Sequence, residues 1–124
     1  DFRKSVLEKF FNGLTLLSVP VLKGEAFGLY QLESMASGIP VVQPALGAFP
    51  EVVKVSDGGW IYEPNTPEAL AEKLAEALSD REKLMTRSRN GRKAVEEKFH
   101  FNVLTRNVVA IYQDVSRKTA VTAV

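Results

Sequence analysis

Two short, almost continuously apolar segments constrain the fold of this chain more than any other feature. They cover residues 14–19 and 39–42, and the stretch between them has the apolar spacing of a helix. Segments of this length that are apolar on successive residues are typical of strands buried on both faces, as in parallel sheets. Parallel strands need a crossover connection, and a helix usually supplies it. The sequence therefore predicts an α/β fold.

The remainder of the chain continues this alternation of strands and helices. Pro50 is placed to begin a short helix, and the turn-forming Asp57-Gly58-Gly59 precedes a third short strand at residues 60–62. One helix, ended by Gly13, precedes the first strand, and three more helices follow the third strand. The residues predicted to begin these four helices are Ser5, Thr66, Ser79 and Asn102. We therefore expect three short parallel strands with flanking helices.

Two helices carry apolar faces that we expect to be buried. In the helix between the first two strands, this face consists of Leu29, Leu32 and Ala36. In the last helix, the spacing of the apolar residues predicts a packing stripe made of Leu104, Val108, Ile111 and Val115. Residues 118–124 have no such pattern, and we expect them to form a frayed tail.

The opening helix has no strand before it that would complete a βαβ unit. We therefore expect residues 1–117 to be the C-terminal half of a doubly wound domain that belongs to a longer polypeptide. Open sheets of this kind bind ligands beyond the carboxyl ends of their strands. The loop after the first strand lies at such an end, so it is the first place to look for a site.

That loop is bounded by Gly24 and Gly28 and leads directly into a helix. Glycine permits close backbone approach, and the first N–H groups of a helix have no partner within the helix. Those N–H groups and the helix dipole together favour an anion such as a phosphate. Glycine spacing alone leaves an alternative open, which is a ligand-free turn between a strand and a helix.

Two carboxylates, Glu25 and Glu33, lie on either side of the start of this helix, with seven residues between them. The acid and nucleophile of a retaining glycosidase lie about 5–5.5 Å apart. If most of the intervening residues are helical, eight steps of about 1.5 Å place these two backbones on the order of 10 Å apart, so that pairing is excluded. Carboxylates at this separation can instead hold hydroxyl groups at opposite ends of one extended ligand.

Composition excludes several other functions. The net charge is +1, so no overall field attracts nucleic acid. The chain has no cysteine and a single histidine, His100, so thiol chemistry and a metal site built on a histidine pair are excluded. The absence of cysteine suits a reducing compartment, and we expect a cytoplasmic protein. Basic residues in the region 81–93 leave peripheral membrane contact as a second expectation, and a solvated helix face as the alternative.

The segment GEAFGLYQLESMASGIPVV at residues 24–42 resembles a motif of retaining glycosyltransferases of the GT-B fold, in glycosyltransferase family 4. That motif is a Glu-x7-Glu arrangement in the setting E-G-F-G-L-x-x-L-E-A-M-A-x-G-x-P-V-V. The similarity continues through GAFPEVV at residues 47–53 and TPEALA at residues 66–71. Altogether it covers roughly residues 14 to 116. Ala26 departs from the motif, because the family usually has glycine there.

The resemblance implies that this chain is the C-terminal half of a Rossmann-like GT-B nucleotide-binding domain. It also implies roles for the matching positions. Glu25 would contact hydroxyl groups of the donor sugar beside the reacting carbon, as the catalytic carboxylate, and Glu33 would bind the ribose hydroxyls of the nucleotide. The residues implied to bind the donor are Glu25, Ala26, Phe27, Gly28, Leu29 and Glu33.

The activity implied for the full-length protein is transfer of a sugar from a nucleotide diphosphosugar to a sugar, lipid or protein acceptor, with retention at the anomeric carbon. No metal or other cofactor and no nucleic-acid partner is expected. An N-terminal domain would supply the acceptor site, so we expect the fragment alone to be inactive. Two alternatives remain: a non-catalytic nucleotide-sugar sensor, and a structural module with a ligand-free turn.

Overall fold

The computed structural model describes residues 2–122 of the 124-residue chain, and its side chains from residue 4 to residue 120. The helices are α1 (Phe2–Asn12), α2 (Leu29–Ala36), α3 (Phe49–Ser56), α4 (Pro67–Ser79), α5 (Arg81–Ala94) and α6 (Phe101–Thr122). The strands are β1 (Val41–Pro44) and β2 (Gly59–Tyr62), and one π-helical turn, Val95–Phe99, connects α5 to α6. The predicted α/β fold with short parallel strands is therefore confirmed.

Strands β1 and β2 form a parallel pair in which Val41 lies opposite Gly59. All four residues of β1 are buried, as expected for a strand covered on both faces. Val41 packs with Met35, Val52 and other residues on one side of the sheet. Val42 packs with Trp60, Tyr62 and Ala77 on the other side. Successive side chains of a strand point to opposite faces, so helices cover the sheet on both sides.

The first predicted strand is reduced to a single bridge, so the described residues contain two strands rather than three. Leu17 exchanges backbone hydrogen bonds with the start of β1, and pairing then stops. At the next two positions, side-chain hydrogen bonds replace the backbone pairs of a regular parallel sheet. The hydroxyl of Ser18 donates to the carbonyl of Val42 (2.7 Å), and the N–H of Val19 donates to Oε1 of Gln43 (2.9 Å). The segment stays beside β1 without forming a regular strand.

The buried face of α2 was predicted only in part, since Leu32 packs against the core. Leu29 is 68% exposed and Ala36 is exposed, whereas Gln31 and Ser34 are fully buried. The two polar side chains are buried because they hydrogen-bond to backbone carbonyl groups beyond the two ends of the helix, at distances of 2.6 and 2.9 Å. Apolar spacing alone could not reveal those partners.

The helix caps were predicted in part. Thr66 caps α4 as expected, because its Oγ1 accepts from the N–H of Ala69 (3.2 Å). The cap of α5 is Asp80 rather than Ser79, which is the last residue of α4. Ser5 lies within α1 rather than at its start, since that helix begins at Phe2.

The cap of α5 gives a small, testable effect. Asp80 Oδ1 accepts from the N–H of Lys83 at 2.9 Å. We expect Asp80→Ala to lower the free energy of unfolding by about 1 kcal/mol, because a helix N–H loses its partner. The matched control is Ser79→Ala, which removes a hydroxyl from the neighbouring residue without uncapping α5. Thermal denaturation of the two variants compares them, and an equal loss in both would contradict the assignment.

Helix α6 differs from its prediction at both ends. It begins at Phe101, and the N–H of Asn102 donates to Nδ1 of His100 (3.3 Å), so Asn102 is not its cap. It continues to Thr122, so residues 118–122 are helical rather than frayed, and residues 123 and 124 lie outside the described residues. Its predicted packing stripe is exposed, with values from 45% at Leu104 to 63% at Ile111. Over residues 2–122, no helix has both the length and the apolar character needed to span a membrane.

Candidate functional site

The loop that precedes α2 packs, backbone against backbone, on the loop that follows β1. A side chain on Gly47 would overlap the carbonyl oxygen of Glu25, and a Cβ on Gly24 would lie 2.9 Å from the N atom of Gly47. Gly47 also has a φ of 53°, which glycine adopts readily and other residues rarely do. These glycines therefore fix the loop that carries Glu25 at the carboxyl end of β1.

The N-terminus of α2 is open. Its cap residue is Gly28, with a left-handed φ of 73°, and no side chain among the described residues caps the helix. The N–H of Gln31 donates to the carbonyl of Gly28 (3.1 Å). Leu29 and Tyr30 are the first two residues of the helix, so their N–H groups have no acceptor within it. This end of α2 can therefore donate hydrogen bonds to an anion.

The carboxylate of Glu25 lies beside this open end. A Cβ built on Gly28 would be 3.3 Å from Oε2 of Glu25 and 2.9 Å from Cε1 of Phe49. Glu25 itself is half-buried. Only glycine leaves room at position 28 for both the carboxylate and the aromatic ring. The structure therefore brings Glu25 and Gly28 together, and their role in binding a donor stays a prediction.

The other predicted residues lie on the exposed side of α2. Leu29 and Glu33 are both exposed and are four residues apart in one helix, which places them on the same face. Ala26 is exposed, and Phe27 is 36% exposed, with its ring edge-on to that of Phe99 at 6.4 Å between centroids. The predicted residues thus form an accessible surface around the start of α2, with Glu33 about one helical turn further on.

Sequence reasoning missed Tyr30, which lies beside Glu25, and Gln43, which contacts Tyr30. The side chain of Gln43 is fully buried in β1, and its Nε2 donates to the hydroxyl of Tyr30 (3.3 Å). The pKa of Tyr30 is raised, chiefly by burial. The hydrogen bond with Gln43 opposes this rise, while the negative charge of Glu25 and a hydrogen bond to its carboxylate add to it. The one available signal was a glutamine inside an otherwise apolar strand.

Several basic residues of α5 form ion pairs with carboxylates outside this site. Arg87 pairs with Asp57 at 2.6 Å. Two further basic residues of α5 lie one turn from acidic partners, in the pairs Arg92–Glu96 and Lys93–Glu97. These pairs within the chain account for a good part of the basic bias that we noted in the sequence. Membrane contact through this helix stays a prediction.

Comparison with known proteins agrees with the motif. The family model described as glycosyl transferases group 1 matches residues 2–94. N-acetyl-alpha-D-glucosaminyl L-malate synthase from Bacillus anthracis is 32% identical over 93 residues, which are 75% of this chain and 24% of that protein. The chain therefore spans about a quarter of the length of this relative.

Solved structures give the same result for the fold. Sucrose-phosphate synthase from Thermosynechococcus elongatus superposes with a TM-score of 0.74 at 27% identity, over 88% of this chain and 27% of that one. The Anabaena protein HepE, solved in complex with UDP and glucose, superposes with a TM-score of 0.70 at 23% identity, over 92% of this chain and 29% of its own. These structural neighbours are GT-B glycosyltransferases, consistent with a C-terminal Rossmann-like half. The chain therefore belongs to the glycosyl transferases group 1 family.

Proposed function

We propose that the protein containing this chain is a retaining glycosyltransferase of family 4, which transfers a sugar from a nucleotide diphosphosugar to an acceptor. The residues of this chain would form the donor site. The observation that carries the proposal is the open N-terminus of α2 with the carboxylate of Glu25 beside it. Because the chain spans about a quarter of its relative, the activity is proposed for the full-length protein.

Each part of the proposed site has a chemical role. The N–H groups of Leu29 and Tyr30 at the start of α2 would bind the diphosphate, and they would stabilise the negative charge that grows on it as the sugar departs. Glu25 would accept hydrogen bonds from hydroxyl groups of the donor sugar, and Glu33 from those of the ribose. The names of two relatives support a reaction on sugars, since they describe a glucosaminyl malate synthase and a sucrose-phosphate synthase.

The first test is a panel of donors supplied to the full-length protein. UDP-glucose is a reasonable first member, because the Anabaena protein of similar fold was solved with UDP and glucose. UDP-N-acetylglucosamine and GDP-mannose complete a minimal panel. We expect release of nucleoside diphosphate to depend on one of these donors and to increase with a suitable acceptor. Binding of a donor without any turnover would instead favour the non-catalytic sensor.

The site assignment predicts different effects for the two carboxylates. We expect Glu25→Gln to lower kcat by about a hundredfold, because a preorganised charge beside the reacting carbon is lost. We expect Glu33→Gln to weaken donor binding by about tenfold, because a hydrogen bond to a charged acceptor is lost. Steady-state kinetics and calorimetric titration with the active donor measure these effects.

The matched control for both variants is Glu72→Gln, a change of the same kind at an exposed position of α4. It should leave turnover and donor affinity unchanged. Turnover and affinity that stay normal in both site variants would disprove the assignment of Glu25 and Glu33.

A further inference from the structure

We propose that Tyr30 and Gln43 are positioning residues, which hold the carboxylate of Glu25 in a fixed orientation before the donor binds. This inference rests on the proposed function of Glu25. It follows from two hydrogen bonds that connect the backbone of Val19 through Gln43 to the hydroxyl of Tyr30, and from the position of the Glu25 carboxylate beside the ring of Tyr30. Tyr30 occupies an unspecified position of the sequence motif, and Gln43 lies outside it.

Gln43 anchors the network and sets its direction. Its side chain is fully buried, so both ends of its amide must find partners. The N–H of Val19 can only donate, and it lies 2.9 Å from Oε1, so the oxygen of the amide faces Val19. The NH₂ group must then face the hydroxyl of Tyr30, 3.3 Å away. Gln43 therefore donates to the oxygen of Tyr30.

Tyr30 can in turn donate a hydrogen bond to Glu25. Since its oxygen accepts from Gln43, its own proton is available for another acceptor. An ionised carboxylate can only accept, and that of Glu25 lies beside the ring of Tyr30, since atoms of both are within 3.4 Å of a Cβ built on Gly28. The ring of Tyr30 is fixed as well. It packs against Phe49, with 6.4 Å between centroids, and its Cζ would lie 3.4 Å from a Cβ on Gly28.

The surroundings of the tyrosine are otherwise neutral. The contacts of its side chain from β1 and α3 are those with Gln43 and Phe49, neither of which carries charge, and the charged group that acts on it is Glu25. The hydroxyl therefore holds the carboxylate without neutralising it. A carboxylate has about four acceptor positions, so others remain for hydroxyl groups of a sugar. Orientation established before binding lowers the cost of reaching the transition state.

The direct test is Tyr30→Phe in the full-length protein, which removes the hydroxyl and keeps the ring. With the donor that the panel identifies, we expect kcat to fall about tenfold and KM to change little, because the carboxylate is still present but less well oriented. The matched control is Tyr62→Phe. It removes another hydroxyl, which donates to Oδ1 of Asn65 rather than to Glu25 (3.3 Å), and it should leave kcat unchanged.

A double-mutant cycle separates positioning from general damage to the fold. If Tyr30 acts through Glu25, the tenfold effect of Tyr30→Phe should disappear in the Glu25→Gln background. If the turnover of Glu25→Gln is too slow to measure, the same four proteins can be compared by their affinity for the donor. An unchanged kcat in Tyr30→Phe, or an equal effect in both backgrounds, would overturn the proposal.

A second measurement needs no donor, so it is independent of the proposed function. NMR titration of tyrosine ring carbons should show that Glu25→Gln lowers the pKa of Tyr30, because a negative charge and its hydrogen bond are removed. The pKa of Tyr62, which is raised by burial alone, should not change. If no donor is turned over but the pKa of Tyr30 falls, the proposed function is wrong, whereas the contact between Tyr30 and Glu25 is supported. If the pKa of Tyr30 does not move, the inference fails even in an active enzyme.

Discussion

Gly47→Ala is expected to abolish donor binding and to lower the free energy of unfolding by about 3 kcal/mol or more. The left-handed φ of 53° alone costs an alanine about 1 kcal/mol. The larger cost is steric. The new Cβ would overlap the carbonyl oxygen of Glu25 and lie 3.1 Å from its N atom. Both are backbone atoms, so no change of rotamer can relieve the clash, and the loop that carries Glu25 must move.

Thermal denaturation and calorimetric titration with UDP, applied to the full-length protein, measure the two effects of Gly47→Ala. Gly13→Ala is the matched control, because a Cβ there meets only backbone oxygens at 3.6 and 3.9 Å, which are ordinary contacts. That control should melt and bind like the wild type. If Gly47→Ala also keeps its melting temperature and affinity, then the close packing of the two loops does not exist in solution.

Local patterns predicted the elements that depend on local interactions. The cap of α4 at Thr66 was correct, because it needs only a hydroxyl and an N–H three residues later. The strand expected at residues 14–19 was reduced to a bridge at Leu17, because Ser18 and Gln43 compete with the backbone for its hydrogen bonds. That competition is between residues more than twenty positions apart, so apolar spacing cannot reveal it.

The geometry of the candidate site was predictable to the same extent. The contact between Glu25 and Gly28 could be predicted because the two residues are three positions apart in one loop. Tyr30 and Gln43 could not, since one lies on α2 and the other on β1, and only the folded sheet brings them together. Gly91 in α5 also depends on a distant contact, because a Cβ at this position would lie only 3.1 Å from the α-carbon of Gly58.

Arg87 shows how a charged residue in a basic region can be part of the core. Its Nη1 donates to Oδ1 of Asp57 (2.6 Å) and to the carbonyl of Gly59 (2.7 Å). Its guanidinium carbon lies 4.9 Å from the centroid of the Trp60 ring, within the range of a cation–π contact. The side chain is 22% exposed, so much of this interaction is shielded from water. Arg87 therefore ties α5 to the turn that begins β2.

We expect Arg87→Met to lower the free energy of unfolding by about 3 kcal/mol. Methionine keeps an unbranched apolar side chain but loses a charge-assisted hydrogen bond, worth about 1.5–3 kcal/mol, and a cation–π contact, worth about 0.5–1 kcal/mol. The carbonyl of Gly59 also loses its donor. Thermal denaturation of the full-length protein measures the loss. The matched control is Arg89→Met, an exposed arginine on the same helix, which should change stability by less than about 0.5 kcal/mol.

Substitution of Asp57, the partner of Arg87, tests whether Arg87 stabilises the fold through the turn before β2. Asp57 has a left-handed φ of 48° and accepts from both Arg87 and Asn90. If Arg87 stabilises the fold by holding this turn, Asp57→Asn should produce part of the same loss. The double variant should then lose less than the sum of the two single variants, because they remove one shared interaction. Strict additivity would assign the effect of Arg87 to its contacts with Trp60 and Gly59 alone.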